Sequence, residues 1–187
     1  MCTRRYEKKG MNVELRKATR ADIETIMGLI AEGRQSLADL GIDQWQGGYP
    51  QREVIERDID DDASWLVYDG DVAVATAMLA HRDEVNYHTL DGEWLTTSTP
   101  EHPSYVVIHR VAVSGMRAKG GVGSFVVTSA IELARECGCE SVRVDTHPGN
   151  VPMRRLLEKY GFVLCGTIVI DHAEGLTPVR VAYEKLV

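Results

Sequence analysis

Two hydrophobic periods alternate along this chain, and the points where one gives way to the other mark out its elements. Val13 and Leu15 fall on every second position, as in a strand. From Thr19 or Asp22 the spacing becomes helical, with Ile23, Ile26, Met27, Ile30 and Leu37 on one stripe. The loop Gly41-Ile42-Asp43-Gln44-Trp45-Gln46-Gly47-Gly48-Tyr49-Pro50 ends that helix, and Val54, Ile55 and Ile59 after Pro50 predict a short second one closing in the acidic stretch Asp58 to Asp62. Ser64 to Tyr68 and Val72 to Leu79 read as strands joined by a hairpin at Asp69-Gly70-Asp71.

The second half repeats the alternation with longer elements. His81 to Pro103 is polar and irregular, with a short strand expected near Trp94. Tyr105 to Val113 is a long strand, and simple alternation puts His109 on one face with Val107 and Val111. A helix follows Gly123, carrying Phe125, Val126, Ala130, Ile131, Leu133 and Ala134; Ser141 to Thr146 is a strand, Asn150 to Lys159 an amphipathic helix ended by Gly161, and Phe162 to Ile170 and Pro178 to Lys185 the last two strands. This order implies an α/β fold around a central mixed sheet. Residues 1–10, Met1 to Gly10, are basic and poor in apolar positions, which predicts a flexible N-terminal tail and leaves 11–187 as a single domain.

Composition narrows the classes. At 187 residues, 44% hydrophobic and 26% charged, the chain has enough apolar surface for a core without disulfides or metals. It has no run approaching the roughly 18 apolar residues of a spanning helix and no apolar leader, so a cytoplasmic protein with no membrane contact is expected. The net charge of −7 opposes nucleic-acid binding, which depends on many Lys and Arg contacts. Cys2, Cys137, Cys139 and Cys165 show no CxxC and no zinc spacing, so free thiols and no metal are expected, with Gly138 as a helix C-cap.

The stretch with the most chemistry is the long strand and the turn after it, Met116-Arg117-Ala118-Lys119-Gly120-Gly121-Val122-Gly123-Ser124. A basic, glycine-rich turn that opens a helix gathers free N–H groups and the positive end of a helix dipole, a place for phosphate. A P-loop needs Gly-Lys-Ser/Thr at its end, and a dinucleotide fold needs a third glycine early in the chain; neither spacing is met. The glycines also serve a tight turn with no ligand at all.

From Val111 to Phe162 the chain resembles motifs A and B of the GNAT superfamily of acetyl-CoA-dependent N-acetyltransferases. The residues that carry the resemblance are Val111-Ala112-Val113, Gly121-Val122-Gly123, Asn150-Val151-Pro152-Met153, Leu156-Leu157 and Gly161-Phe162, at that family's spacings. The resemblance implies a mostly antiparallel sheet with splayed central strands, flanked by about four helices. It also implies acetyl-CoA as acetyl donor and a small-molecule or peptide amine as acceptor, with a homodimer left open.

For the cofactor, the resemblance implies that Val111, Ala112 and Val113 bind the pantetheine arm and that Arg117, Ala118, Lys119, Gly120, Gly121, Val122, Gly123 and Ser124 wrap the pyrophosphate, with Asn150 and Met153 alongside. Asn150 equally reads as a helix N-cap. Ala118 stands where the family has Arg or Gln, so Arg117 and Lys119 are the expected sources of charge. Leu157 stands where relatives carry a tyrosine acid, which makes Tyr160 the candidate substitute. His109 is a candidate general base, histidine ordinarily titrating near pH 6.5, or a hydrogen-bonded core residue. Gln44, Trp45 and Tyr49 in the loop and Tyr183 on the last strand are candidate acceptor contacts, and Arg180 lies on the same strand. Together these imply direct attack of a primary amine on acetyl-CoA in a ternary complex. A non-catalytic acyl-CoA-binding or sensor module is the alternative.

Overall fold

The strand and helix periods resolve into one sheet with helices on both faces. The structure, a computed structural model, describes residues 4–8, 11–117, 120–170 and 176–187. In chain order it runs β1 (Arg4–Lys8), β2 (Met11–Lys17), α1 (Ile23–Asp39), α2 (Arg52–Asp60), β3 (Ser64–Asp69), β4 (Val72–His81), β5 (Asp91–Gly92), β6 (Tyr105–Val113), α3 (Val122–Glu136), β7 (Ser141–Thr146), α4 (Val151–Lys159), β8 (Val163–Val169) and β9 (Val179–Leu186). The nine strands lie in the order β1-β2-β3-β4-β6-β7-β9-β8-β5. Only the β6–β7 pair is parallel among the described residues. The expected mostly antiparallel sheet flanked by four α-helices is therefore what forms.

Two local expectations change. Arg4–Lys8, read as part of a flexible tail, pairs with β2 from Arg4↔Leu15 to Lys8↔Met11. Main-chain groups on the outer edge of β2 seek partners whatever the composition of the strand that supplies them. The strand expected near Trp94 is the two-residue β5, paired with Thr167 and Gly166 of β8. Trp94 itself packs beside Tyr87 and donates its indole N–H to the Tyr87 carbonyl.

Alternation divides the core between the two faces. Trp65 and Val67 of β3 join Val126, Ala130 and Ala134 of α3, whereas Leu66 between them joins Ile26 and Ile30 of α1 and Ile55 of α2. In β6 the alternation breaks once. Thr76 pairs with Ala112 and Met78 with His109, so two steps on β4 face three on β6. The extra residue lies at Arg110, whose φ of +51° is in the left-handed region. Holding a non-glycine residue there costs of the order of 1–3 kcal/mol.

The side chain of Arg110 supplies the compensation. Its Nε and Nη2 donate to the two carboxylate oxygens of Asp58 at 2.6 and 2.7 Å, and Nη1 donates to the Tyr49 hydroxyl at 2.7 Å. One inserted residue exchanges the faces of all that follow. Val106 and Ile108 pack toward α3, but Ala112, which simple alternation places with them, sits in the α1 cluster. A Cβ on Gly33 would meet that of Ala112 at 3.0 Å, so α1 lies directly on this part of β6. Val111 and Val113 turn to the α3 side, which corrects the expectation that His109 and Val111 share a face.

Next to the bulge the sheet opens. Parallel pairing of β6 and β7 runs from Tyr105↔Ser141 to Ile108↔Val144 and stops. β7 stays with β9 as far as Thr146↔Val181, and β6 stays with β4 as far as Val113↔Ala75. The two strands diverge, and the edge of β6 from His109 onward borders a wedge.

Below the wedge, a buried charge pair ties down the irregular segment before β6. Glu184 is 0% exposed and accepts from Leu95 N (2.5 Å), Thr96 N (3.3 Å), Thr96 Oγ1 (2.5 Å), Ser141 Oγ (2.5 Å) and Arg143 Nε (2.9 Å). The Arg143 guanidinium lies 4.2 Å from the ring centres of both Trp94 and Tyr105. Burial pushes the Glu184 carboxyl upward, but hydrogen bonds from Ser141, Thr96 and Arg143 outweigh it and hold it below the usual carboxylate range.

Two stability predictions result. Asp58→Asn breaks an ion pair whose side chains are 8% and 6% exposed, and loss of about 3–5 kcal/mol is expected as a lower urea midpoint. A group with a lowered folded pKa stabilises above its unfolded pKa and loses that contribution as pH falls through the folded value. The stability gap between the wild type and Glu184→Gln is therefore expected to be widest above about pH 5 and to narrow below about pH 4.3 in urea titrations at stepped pH.

Candidate active site

The wedge between β6 and β7 opens into a cavity of about 660 Å³ that runs from the glycine turn, past the free edge of β6, to the loop after α1. Its middle is lined by Ile108, His109, Val111, Ala112 and Val113 on β6 and by Val144, Asp145 and Thr146 on β7. The residues expected along the pantetheine arm thus border the gap that the splayed strands leave.

One end carries ionisable groups. His109 Nε2 is 3.0 Å from Glu84 Oε2, and its Nδ1 is 3.5 Å from Asp145 Oδ1. The Tyr87 hydroxyl donates to the same Asp145 oxygen at 3.1 Å. Burial acts to raise the Glu84 carboxyl, but the hydrogen bond and charge of His109, with help from Arg82 and the Asn86 N–H, bring it down to about 2. Burial and the neighbouring Asp145 carboxylate push the Tyr87 phenol well above its ordinary value, so it stays protonated. His109 is thus held on one side by a committed carboxylate and faces, on the other, a carboxylate that already accepts a hydrogen bond from tyrosine.

The other end is the glycine turn. Gly121 has φ +87° and is the N-cap of α3, a conformation that side chains disfavour, and it directs the first turn of the helix at the cavity. Gly121, Gly123 and Ser124 line the cavity together with Asn150, Met153 and Leu156 of the α4 turn. Asn150 caps α4, its Oδ1 accepting from Met153 N at 3.2 Å and its Nδ2 donating to Thr146 Oγ1 at 3.1 Å. Before the turn, Glu32 of α1 accepts from Ser114 Oγ and Gly115 N, both at 2.9 Å, which fixes the chain as it leaves β6.

Several expected contacts lie elsewhere. Arg117 pairs with Asp69 of the β3–β4 hairpin at 2.5 Å and does not line the cavity. Val122 is buried in the core, and Gly120 is exposed, outside the lining. Ala118 and Lys119 lie outside the described residues, as does Cys2. Tyr160, the C-cap of α4, packs against the core and does not line the cavity, which corrects its expected place there. Leu157, where relatives carry that acid, is fully buried. Tyr183 is also corrected: its ring is in the core beneath α4, and its hydroxyl accepts from Arg154 Nε at 3.0 Å.

Gln44, Trp45 and Tyr49 all line the cavity. Gln44 Oε1 accepts from His147 N at 3.3 Å, Trp45 packs with the α1 cluster, and Tyr49 is tied to Arg110. His147 accepts from Gly149 N through Nδ1 at 3.0 Å and so caps its own loop. Cys137, Cys139 and Cys165 are free thiols, and none lines the cavity.

Glu84, Asp145 and Arg180 also line it, and of these the sequence reading marked only Arg180. Asp145 is the penultimate residue of β7, the strand beside the one that carries His109, and Arg180 alternates away from Tyr183 on β9. Glu84 lies in the irregular segment, where no periodicity marks it.

Comparison with known proteins agrees with this geometry. The sequence model of the acetyltransferase (GNAT) family matches residues 34–162, more than half of the chain. A crystal structure of a GNAT-family acetyltransferase from Streptococcus agalactiae shares 32% identity, covers 94% of this chain and 95% of that one, and superposes with a TM-score of 0.79. A GNAT-family acetyltransferase from Listeria monocytogenes shares the fold at 18% identity, with 98% and 100% of the two chains covered and a TM-score of 0.74. Comparison with curated proteins gives no match. No helix among the described residues is long and apolar enough to cross a membrane. With a parallel strand pair that splays beside a glycine turn, and with a family match spanning both, this chain belongs to the GNAT acetyltransferase family and is an N-acyltransferase.

Proposed function

We propose that the enzyme moves an acetyl group from acetyl-CoA to a primary amine by direct attack in a ternary complex, with His109 as the general base. Enzymes of this family generally use acetyl-CoA as donor and amines as acceptors. The observation that carries the reading is the placement of His109 between Glu84 and Asp145, in a cavity continuous with the free edge of β6 and the turn at Gly121.

The chain's own groups fit that donor. The edge of β6 at Val111, Ala112 and Val113 offers main-chain groups to an amide-bearing arm in the manner of an added strand. The N–H groups at the start of α3, from Gly121 to Ser124, suit a pyrophosphate. Acetyl-CoA, when bound, supplies a thioester carbonyl carbon and a thiolate leaving group. A main-chain N–H of β6 near Val111 polarises that carbonyl.

At the acceptor end, His109 acts as base in its neutral form, in which Nε2–H donates to Glu84 and the lone pair is left on Nδ1. That lone pair and the Asp145 carboxylate both face the same space, which an ammonium group satisfies as donor. Nδ1 takes one proton from the ammonium; the free amine then attacks the thioester carbonyl carbon, the C–S bond breaks as the C–N bond is established, and the second N–H proton leaves to solvent. No described cysteine lines the cavity, which favours direct transfer over an acetyl-enzyme. The positions of Leu157 and Tyr160 leave the sulfur to depart as thiolate, a stable species near neutral pH.

His109→Gln is expected to lower kcat by about 10²–10⁴-fold at neutral pH, with the deficit shrinking as pH rises and the free amine becomes abundant. Thiol release followed from pH 6 to 10 over a panel of amines, on a scale set by about that range, checks it. An unchanged pH profile would remove His109 from the role.

A further inference from the structure

We propose that the acceptor carries a carboxylate a few bonds from its amine and that Arg180 binds that carboxylate. This rests on the amine-acceptor reading above and specifies its substrate class. Arg180 is 4% exposed and lines the same cavity as His109. Its Nη1 donates to the carbonyl oxygens of Thr177 at 2.6 Å and Val179 at 2.9 Å, which fixes the guanidinium plane. Among the described residues, Nε and Nη2 have no hydrogen-bond partner, and no carboxylate comes within ion-pair distance of the group. Of the two carboxylates whose charge it feels, Asp43 accepts from Thr177 N through Oδ2 at 2.6 Å and has Oδ1 3.4 Å from His147 Nε2, and Asp145 accepts from Tyr87 and faces His109. An Nε/Nη2 edge is the fork that grips a carboxylate through two parallel bonds. The cavity that it lines also has Ile170, Leu176 and Trp45 in its wall, apolar surface that weakens screening of a bound anion.

The sheet sets the distance. Ile108 pairs with Val144 and Asp145 with Ala182, so His109, Asp145 and Arg180 lie across three consecutive strands on the cavity side, with Arg180 diagonal to Asp145. Across the wedge His109 Nδ1 is 3.5 Å from Asp145 Oδ1, and diagonal neighbours on paired antiparallel strands, as Asp145 and Arg180 are, lie about 7–8 Å apart. The amine end and Arg180 are thus near neighbours on one cavity wall, a span that suits a small amino acid better than a long polyamine. The polarity is also fixed. Glu84 and Asp145 attract the ammonium and repel the carboxylate, and Arg180 does the reverse.

The test is thiol release from acetyl-CoA with free α- and β-amino acids, each matched with its own carboxamide and with the alkylamine lacking the group. The wild type is expected to favour acids over amides by at least about tenfold in kcat/KM, the scale of a charged hydrogen bond. Arg180→Gln is expected to raise KM for the acids about 10- to 100-fold with kcat and the amide KM unchanged, and Arg180→Lys to keep part of the preference. Equal use of acids and amides by the wild type, or an equal effect of the substitution on both series, overturns the inference and leaves acetyl transfer to amines intact. Turnover of neither series by the wild type overturns the amine-acceptor reading and the inference with it.

Discussion

The left-handed backbone of Arg110 and the ion pair that holds it are what the rest of the site depends on. A residue inserted into a strand exchanges the two faces beyond it, and here the exchange falls at the level where β6 leaves β7. Before the bulge, β6 sends His109 into the cavity beside Glu84. After it, the strand presents Ala112 to α1 and turns Val111 and Val113 toward α3. Asp58 comes from α2 and Tyr49 from the loop before it, so two elements that carry no main-chain pairing with β6 hold its shape through one guanidinium. The same contact also positions the acceptor loop, because Tyr49 lines the cavity it helps to support.

Charge is buried in this molecule for two different ends. Around Glu184 every hydrogen-bonding opportunity is taken: two main-chain N–H groups, two hydroxyls and Arg143 converge on one carboxylate, and the result anchors an irregular segment to the sheet. Such a closed network stabilises one arrangement and offers nothing to a ligand. Around His109 the groups are close but incompletely matched, with Nδ1 and a carboxylate 3.5 Å apart. Arg180 likewise uses one nitrogen on two nearby carbonyls and leaves Nε and Nη2 without a hydrogen-bond partner among the described residues. Incomplete pairing of buried polar groups is costly in a resting fold, and a ligand that completes it gains that free energy on binding.

Much of the fold was legible because it follows from local periodicity. The stripe from Ile23 to Leu37, the Asp69-Gly70-Asp71 hairpin, the left-handed Gly138 after α3 and the Asn150 cap each depend on a few neighbouring residues, and each lies where that chemistry puts it. The glycine turn and the motif spacing around it likewise identified the family. The tail was misread because strand pairing at an edge needs only main-chain groups, which composition does not report. Tyr160 and Tyr183 were misassigned for another reason: an aromatic ring near a site in sequence faces core or cavity according to how its helix or strand is rotated, and both face the core.

By itself, then, the sequence determined the elements, their order, the family and the segment that opens α3, since all of these are written in spacings of fewer than about ten residues. Only the tertiary structure decided the chemistry at the acceptor end. The bulge at Arg110 has no glycine to announce it, because its conformation is held from outside by Asp58, which is 52 positions away in the chain. Glu84 reaches His109 from a segment without periodicity, and Arg180 meets the same cavity because β9 inserts beside β7. Those meetings are products of sheet order and splay, and such long-range geometry leaves no local pattern to read.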